Sequence, residues 1–253
     1  IKKREKNKTL QYGFVSTGNL HEKTARVYGD HCLLTSNRNV MADINKIFQF
    51  LEYPEKGYGP LERCNTLMVS PISMRTGIEG LINHEIKQAK AGKKAAITIK
   101  LNSLSDVSLI KKLNDAAVAG VTINMIVRGI FCAHVDHKKF NAKPRAISIV
   151  DEYLEHARVM IFCNGGKEKV YISSADWMVR NIDHRVEAAV PILDPAIKKE
   201  LQDIIHIQLQ DNVKARVLDS ALLNNYVPLG SKKKIRSQIE TYLYLQQKTN
   251  SKK

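Results

Sequence analysis

Hydrophobic and polar residues alternate along this chain in two distinct periods. Val40, Ile44, Ile47, Phe48 and Leu51 fall on one face at helical spacing and predict a helix over residues 40–51. Leu109, Ile110, Leu113, Ala116 and Ala117 do the same for residues 106–119, and Gly120 suits the position just past the helix end. A third helix is expected over 71–91, stopping near Gly92. Residues 67–70, 95–101 and 121–127 read as strands, the last a continuous apolar run of the kind buried on both faces of a sheet. Strand, helix, strand, helix and strand in this succession predict a mostly parallel α/β sheet.

The flanking segments differ in style. Near the N-terminus, residues 11–16 and 24–28 read as short strands, with Thr17-Gly18-Asn19 as turn material between them. Residues 52–60 hold two prolines and two glycines, are not expected to continue a helix, and are taken as a connection between domains. Later, residues 159–163 and Lys169–Ser173 flank Asn164-Gly165-Gly166, a hairpin signal. A strand is expected over 185–192, then a helix opened by Asp194-Pro195 as N-cap and first-turn proline, and a last helix over 235–246. One partial echo stands out: a strand ending in Ser16-Thr17-Gly18-Asn19 and another ending in Ser173-Ser174-Ala175-Asp176.

Composition narrows the class. The chain has 253 residues, 43% hydrophobic and 26% charged, which is ordinary for a folded chain and argues against disorder. No apolar run reaches the roughly 20 residues a membrane-spanning helix needs. Cys32, Cys64, Cys132 and Cys163 are far apart, with no C-x-x-C pair, and reduced thiols in the cytoplasm are the expected reading. The net charge of +15 is concentrated at the ends: residues 1–8 carry +4 and residues 230–253 carry +6, which leaves +5 for the rest. Basic arms suit a polyanion but equally suit solvated termini, and no ladder of aromatics alternates with the lysines to stack bases. A specific nucleic-acid site is therefore not expected. The chain begins with Ile1, which suggests a piece of something longer.

Several residues are placed for chemistry. Arg128 directly follows a buried strand, where ligands of open α/β sheets bind, and a guanidinium offers a planar fork of donors to phosphate oxygens; it could equally just end the strand. His156 and Arg158 are spaced to face one side of a nascent strand, and an imidazole is both a nucleophile toward phosphorus and a general acid or base near neutral pH. The bland alternative places His156 at a helix end as a dipole partner. Ser174, Asp176, Arg180 and Asn181 cluster after a strand; Trp177 among them reads as core. Arg185 and Glu187 are expected to point the same way along the next strand, as a site pair or an ordinary ion pair. The remaining histidines show no metal-like spacing, His134 and His137 sit in a lysine-rich loop, and no G-x-x-x-x-G-K-[ST] loop is present.

These phrases together closely resemble the C-terminal half of bacterial polyphosphate kinase. They are residues 17–28 (TGNLHEKTARVY), 127–129 (VRG), 148–150 (SIV), 154–158 (LEHAR) and 171–181 (YISSADWMVRN), and the likeness continues to 211–216 (DNVKAR) and beyond. The resemblance implies an α/β, phospholipase-D-like mixed sheet with helices on both faces. Residues 1–60 would be the remnant of a first such domain and 61–253 a nearly complete second one. It implies reversible transfer of the ATP γ-phosphate to inorganic polyphosphate through a phosphohistidine, with Mg²⁺ as cofactor, ATP/ADP and polyphosphate as partners, and a homo-oligomeric parent. Tyr28, Arg128 and His156 match ATP-binding positions, and His156 is also the expected proton donor. Arg185, in the segment after the signature, with Arg180 and Ser174 within it, is expected to meet the phosphate chain.

The family's phosphorylated histidine and its Mg²⁺-binding positions are expected upstream of Ile1, so the 253-residue piece alone is expected to show no net turnover. Two further departures, Phe131 before Cys132 and the Asn141-Ala-Lys-Pro144 phrase, fall in one loop. Two competing classes remain at this point. A phospholipase-D-type phosphodiesterase would need His-x-Lys where this chain has His156-Ala-Arg158. A non-catalytic polyanion-binding module would suit the basic ends and the missing nucleophile.

Overall fold

The computed structural model describes residues 1–5, 8–221, 223–230 and 233–250. The N-terminal part holds β1 (Lys2–Glu5), β2 (Lys8–Gln11), β3 (Gly13–Ser16), α1 (Glu22–Ala25), β4 (Tyr28–Gly29), β5 (Cys32–Thr35), α2 (Arg38–Glu52) and α3 (Gly59–Glu62). β1 pairs antiparallel with β2, and β3 with β5. The strand expected over 24–28 is instead α1 followed by a two-residue β4; helix-forming Glu22, Lys23 and Ala25 prevail where the pattern offered only a short apolar stretch. Within 52–60, Pro54 and Pro60 start a 3₁₀ turn (Pro54–Lys56) and α3 respectively, because proline fits the first turn of a helix even though it breaks an interior.

Beyond it lie β6 (Met68–Val69), α4 (Met74–Lys90), β7 (Ala96–Leu101), α5 (Val107–Val118), β8 (Thr122–Val127), β9 (Arg145–Ile149), β10 (Leu154–Glu155), β11 (Arg158–Phe162), β12 (Lys169–Ser173), β13 (Ala188–Pro191), α6 (Pro195–Leu209), β14 (Ala215–Val217) and α7 (Ser237–Asn250). Eight strands form one sheet in the order β14-β9-β8-β7-β11-β12-β13-β6. Only the β7–β8 and β8–β9 pairings are parallel; the rest are antiparallel, so the sheet is mixed rather than mostly parallel. The reason is the short return at 164–166, where Gly165 and Gly166 take positive φ and send β12 straight back along β11. A separate pairing, β10 with β4, ties the N-terminal part to the segment that carries His156.

Period-two alternation distributes the sheet's side chains between two cores. Met160 and Phe162 of β11 pack with Ile78 and Ile82 of α4 and with Leu109 and Leu113 of α5; Val159 faces Val40, Leu201 and Ile205 on the other side. Helices thus cover both faces, as expected. The caps follow the sequence as well: Asp106 accepts from the Leu109 amide at 3.0 Å, and Asp194 from the Ala196 and Ile197 amides at 2.8 and 3.0 Å. Trp177 is buried in the first core. No helix among the described residues is long and apolar enough to cross a membrane.

Candidate functional site

Registers place several signature residues at one end of the sheet. β12 runs antiparallel to β11, which runs antiparallel to β7, so the C-terminal ends of β7, β8 and β12 and the start of β11 share an edge. Arg128 follows β8, Asn102 follows β7, Ser174 and Asp176 follow β12, and His156 with Arg158 opens β11. This is the edge where open α/β sheets bind ligands. The segment before His156 is the short strand β10 and not a helix end, so the helix-dipole reading of this histidine is set aside.

His156 is held by a carboxylate from the other part of the chain. Its Nδ1 lies 3.0 Å from both Oδ1 and Oδ2 of Asp30, and both side chains are mostly buried. Thr17 Oγ1 donates to Asp30 Oδ1 at 2.6 Å. Burial pushes the Asp30 carboxyl up, but the hydrogen bonds from His156 and Thr17, with the charges of His156 and Arg158, outweigh it and leave the pKa below its ordinary value. An ionised Asp30 only accepts, so Nδ1 carries a proton and Nε2 is the nitrogen left for exchange. Gly18 permits this approach: a Cβ there would meet the Asp30 carboxylate at 1.9 Å.

Arg158 locks the base of the site. Its Nη2 and Nε reach Asp176 at 2.9 and 3.3 Å, and its Nη1 donates to the Thr17 carbonyl at 2.7 Å. The same Nη1 stands 3.4 and 3.3 Å from Nδ1 and Nε2 of His156, nearly equidistant, and so is not aimed at one lone pair. Asp176 also accepts from the amides of Asn102 and Ser103 at 2.7 and 3.1 Å. Asn102 links the two halves of the cluster: its Nδ2 donates to the His156 carbonyl at 3.2 Å, and its Oδ1 accepts from Arg128 Nε and Nη2 at 3.3 and 3.1 Å. Arg128 Nε also donates to the Glu155 carbonyl at 3.0 Å. Its Nη1 makes no hydrogen bond to the described residues, which leaves a positioned donor for an anion. Gly129 allows the close backbone crossing here, since a Cβ would come 2.9 Å from the Asn102 carbonyl oxygen. Tyr28 rests against His156 with ring centroids 4.9 Å apart.

The other expected residues are placed differently. Ser174 is tied to Glu187 by its hydroxyl, which also accepts from the Ala188 amide at 3.1 Å, and Asn181 Nδ2 donates to Glu187 at 2.9 Å. Arg180 and Arg185 are exposed on and just after a π-helical turn (Arg180–His184), and their guanidinium groups make no hydrogen bond or ion pair among the described residues. The expected Arg185–Glu187 pair is absent: that turn displaces Arg185 from the strand, which starts only at Ala188, and Glu187 is taken by Ser174 and Asn181. Asp30, two residues past the 17–28 phrase, was not singled out in the sequence. No group of three or more His, Cys, Asp or Glu able to hold a metal ion exists among the described residues, and Asp30, Asp176 and Glu187 are already engaged. The described residues therefore assemble no Mg²⁺ cage of their own.

Behind Asp30, the ring of His31 is pushed down to about 4, by burial first and then by the charge of Lys100. Unfolding returns it to its ordinary value of 6.5, so between pH 6.5 and about 4 the unfolded chain binds the extra proton. Stability from this group is complete above that window and is lost as pH falls through it. Urea midpoints measured from pH 7 to 4 are expected to fall more steeply for the wild type than for His31→Asn; parallel profiles would refute this.

The cluster belongs to an α/β protein in which an imidazole is held by a carboxylate and stands beside an arginine. Comparison with known sequences gives the family. Residues 1–57 match the family model for polyphosphate kinase C-terminal domain 1, and residues 67–238 match that for polyphosphate kinase C-terminal domain 2. The polyphosphate kinase of Vibrio parahaemolyticus (serotype O3:K6) is 48% identical over 245 residues, and that of Escherichia coli K12 is 44% identical; each alignment covers 97% of this chain and 35% of the relative. The crystal structure of polyphosphate kinase from Porphyromonas gingivalis superimposes with a TM-score of 0.91 at 40% identity, over 98% of this chain and 38% of that one. The chain belongs to the polyphosphate kinase family and spans about a third of the length of these relatives.

Proposed function

We propose that this chain is the part of a polyphosphate kinase that binds ATP and inorganic polyphosphate, and that it supplies the acid–base histidine for reversible γ-phosphate transfer. The observation that carries the reading is the Asp30–His156–Arg158 arrangement beside Arg128. Asp30 fixes the imidazole with Nδ1 protonated, so Nε2 gives a proton to the departing oxygen in one direction and takes it back in the other. Arg128, held by Asn102, directs its Nη1 donor at phosphate oxygens, and Tyr28 offers a ring beside the same imidazole for the nucleotide. Phosphoryl transfer asks mainly for positioning and charge stabilisation, which rigidly bonded cations provide.

In this reading residues 1–60 complete a first domain and 61–253 form the second. The nucleophilic histidine and the Mg²⁺ ligands come from outside the chain, and Arg180 and Arg185, with their free guanidinium groups, guide the polyphosphate. The phosphodiesterase reading is disfavoured because Arg158, where a lysine would be needed, is committed to Asp176.

Nucleotide binding tests the proposal. Losing one charge-assisted bond of about 1.5–3 kcal/mol should weaken ATP binding by about 10–100-fold in Arg128→Ala, with binding of long polyphosphate much less affected. Equal weakening for ATP, polyphosphate and DNA, with a steep salt dependence, would instead support a general polyanion module.

A further inference from the structure

The phrase at 211–216 contributes no side chain to the cluster around His156; its bonds run instead to the segment that opens the last helix. Asp211 is buried, and its Oδ1 accepts from the amides of Val213, Lys214 and Ala215 at 3.0, 2.7 and 2.9 Å. Its Oδ2 accepts from the Ser237 amide at 2.7 Å. Asn212 adds two bonds: Nδ2 donates to the Lys233 carbonyl at 2.9 Å, and Oδ1 accepts from the Ile235 amide at 2.8 Å. The start of α7 is thereby fixed to the end of α6. From there two of its side chains reach the segment that leads to His156.

Arg236 takes Asp151 with Nε and Nη2 at 2.8 and 2.7 Å. Gln238 binds the backbone itself, as a neighbouring strand would. Its Oε1 accepts from the Tyr153 amide at 3.0 Å, while its Nε2 donates to the Tyr153 carbonyl at 2.8 Å and to Glu155 Oε1 at 2.9 Å. An N–H and a C=O as partners fix which end of the side-chain amide is which. β10 is only two residues long, and among the described residues it has one strand neighbour, β4. The Leu154 and His156 amides point to that neighbour, donating to the Val27 and Gly29 carbonyls at 2.8 and 3.1 Å. In an extended chain the backbone groups of the intervening residues turn the other way. Gln238 meets Tyr153 there, and Arg128 takes the Glu155 carbonyl.

We propose that Gln238 is a positioning residue for His156. Through β10 it sets where the imidazole stands against Asp30, and the 211–216 phrase is its anchor. It acts through the backbone and not on the reacting atoms. The role given to the imidazole rests on the kinase reading, whereas the clamp rests on the bonds just described.

The test is Gln238→Leu, with Gln238→Met as a second apolar replacement should the first fold poorly. In the full-length enzyme kcat is expected to fall about tenfold, because small misplacements of a reacting group are costly in rate. KM for ATP should change less, since Arg128 keeps its bonds to Asn102. In a His156→Ala background the same substitution should lower kcat no further, as two changes acting through one group do not add. A merely structural loss would lower kcat by the same factor in both backgrounds. In the 253-residue chain, the Leu154 and His156 amides should exchange with solvent about tenfold faster while those of β8 stay unchanged. Wild-type kcat in both variants, an equal loss with and without His156, or unchanged exchange at Leu154 and His156 would each overturn the proposal. A His156→Ala enzyme with wild-type kcat would instead count against the kinase reading, and the exchange rates would still decide whether Gln238 holds β10.

Discussion

Replacing His156 with alanine is expected to lower the turnover of the full-length enzyme by about 10²–10⁴-fold, the range for loss of a positioned general acid–base. The effect should fall on kcat more than on KM for ATP, because Arg128 keeps its hold on Asn102 and the Glu155 carbonyl when the imidazole is removed. Asp30→Asn supplies the internal comparison. An amide can hydrogen-bond either ring nitrogen form, so the tautomer is no longer fixed and the positive charge on the ring loses its counter-charge. Its loss should be smaller than that of His156→Ala and should shift the acidic limb of the pH–rate profile. Steady-state kinetics of both variants against pH, in the synthetic and reverse directions, would decide. A His156→Ala enzyme with wild-type kcat would remove the histidine from the chemistry.

How far this was readable in the sequence depends on how local each signal was. β7, β8, α5 and the α6 cap were legible because each is written in a continuous run of residues with one period and one stop signal. The 24–28 stretch was misread because five residues are too few to separate helix from strand, and tertiary pairing with β10 chose the outcome. The strands β9 and β14 were not singled out as elements; both are short, and β14 becomes a strand only by pairing with β9. In the site, Tyr28, Arg128 and His156 were visible as residues, and their meeting depends on Asn102 and Asp30, whose role comes only from folding. Ser174 and Arg180 sit in one signature phrase and Arg185 just after it, yet a π-helical turn sends the two arginines outward while Ser174 turns to Glu187. Contiguity in sequence therefore marked the region without giving the direction of each side chain.

Asp176 carries the largest expected stability effect. Its carboxylate is 7% exposed and takes the Asn102 and Ser103 amides together with two nitrogens of Arg158, which is itself 8% exposed. Asp176→Ala leaves a buried guanidinium with the Thr17 carbonyl as its remaining strong acceptor, and strips two amides of their partner. Breaking a buried pair from one side costs about 3–5 kcal/mol, because the surviving charge stays desolvated without its counter-charge. The urea midpoint should fall accordingly with little change in m. The double variant Arg158→Met/Asp176→Leu removes both charges and should recover part of this loss, but not all, since the Asn102 and Ser103 amides remain unpaired. It should nevertheless be catalytically impaired, because the cation beside the His156 ring and its bond to the Thr17 carbonyl are both gone. If the double variant were no more stable than Asp176→Ala, the loss would have to be assigned to the backbone amides rather than to the stranded arginine.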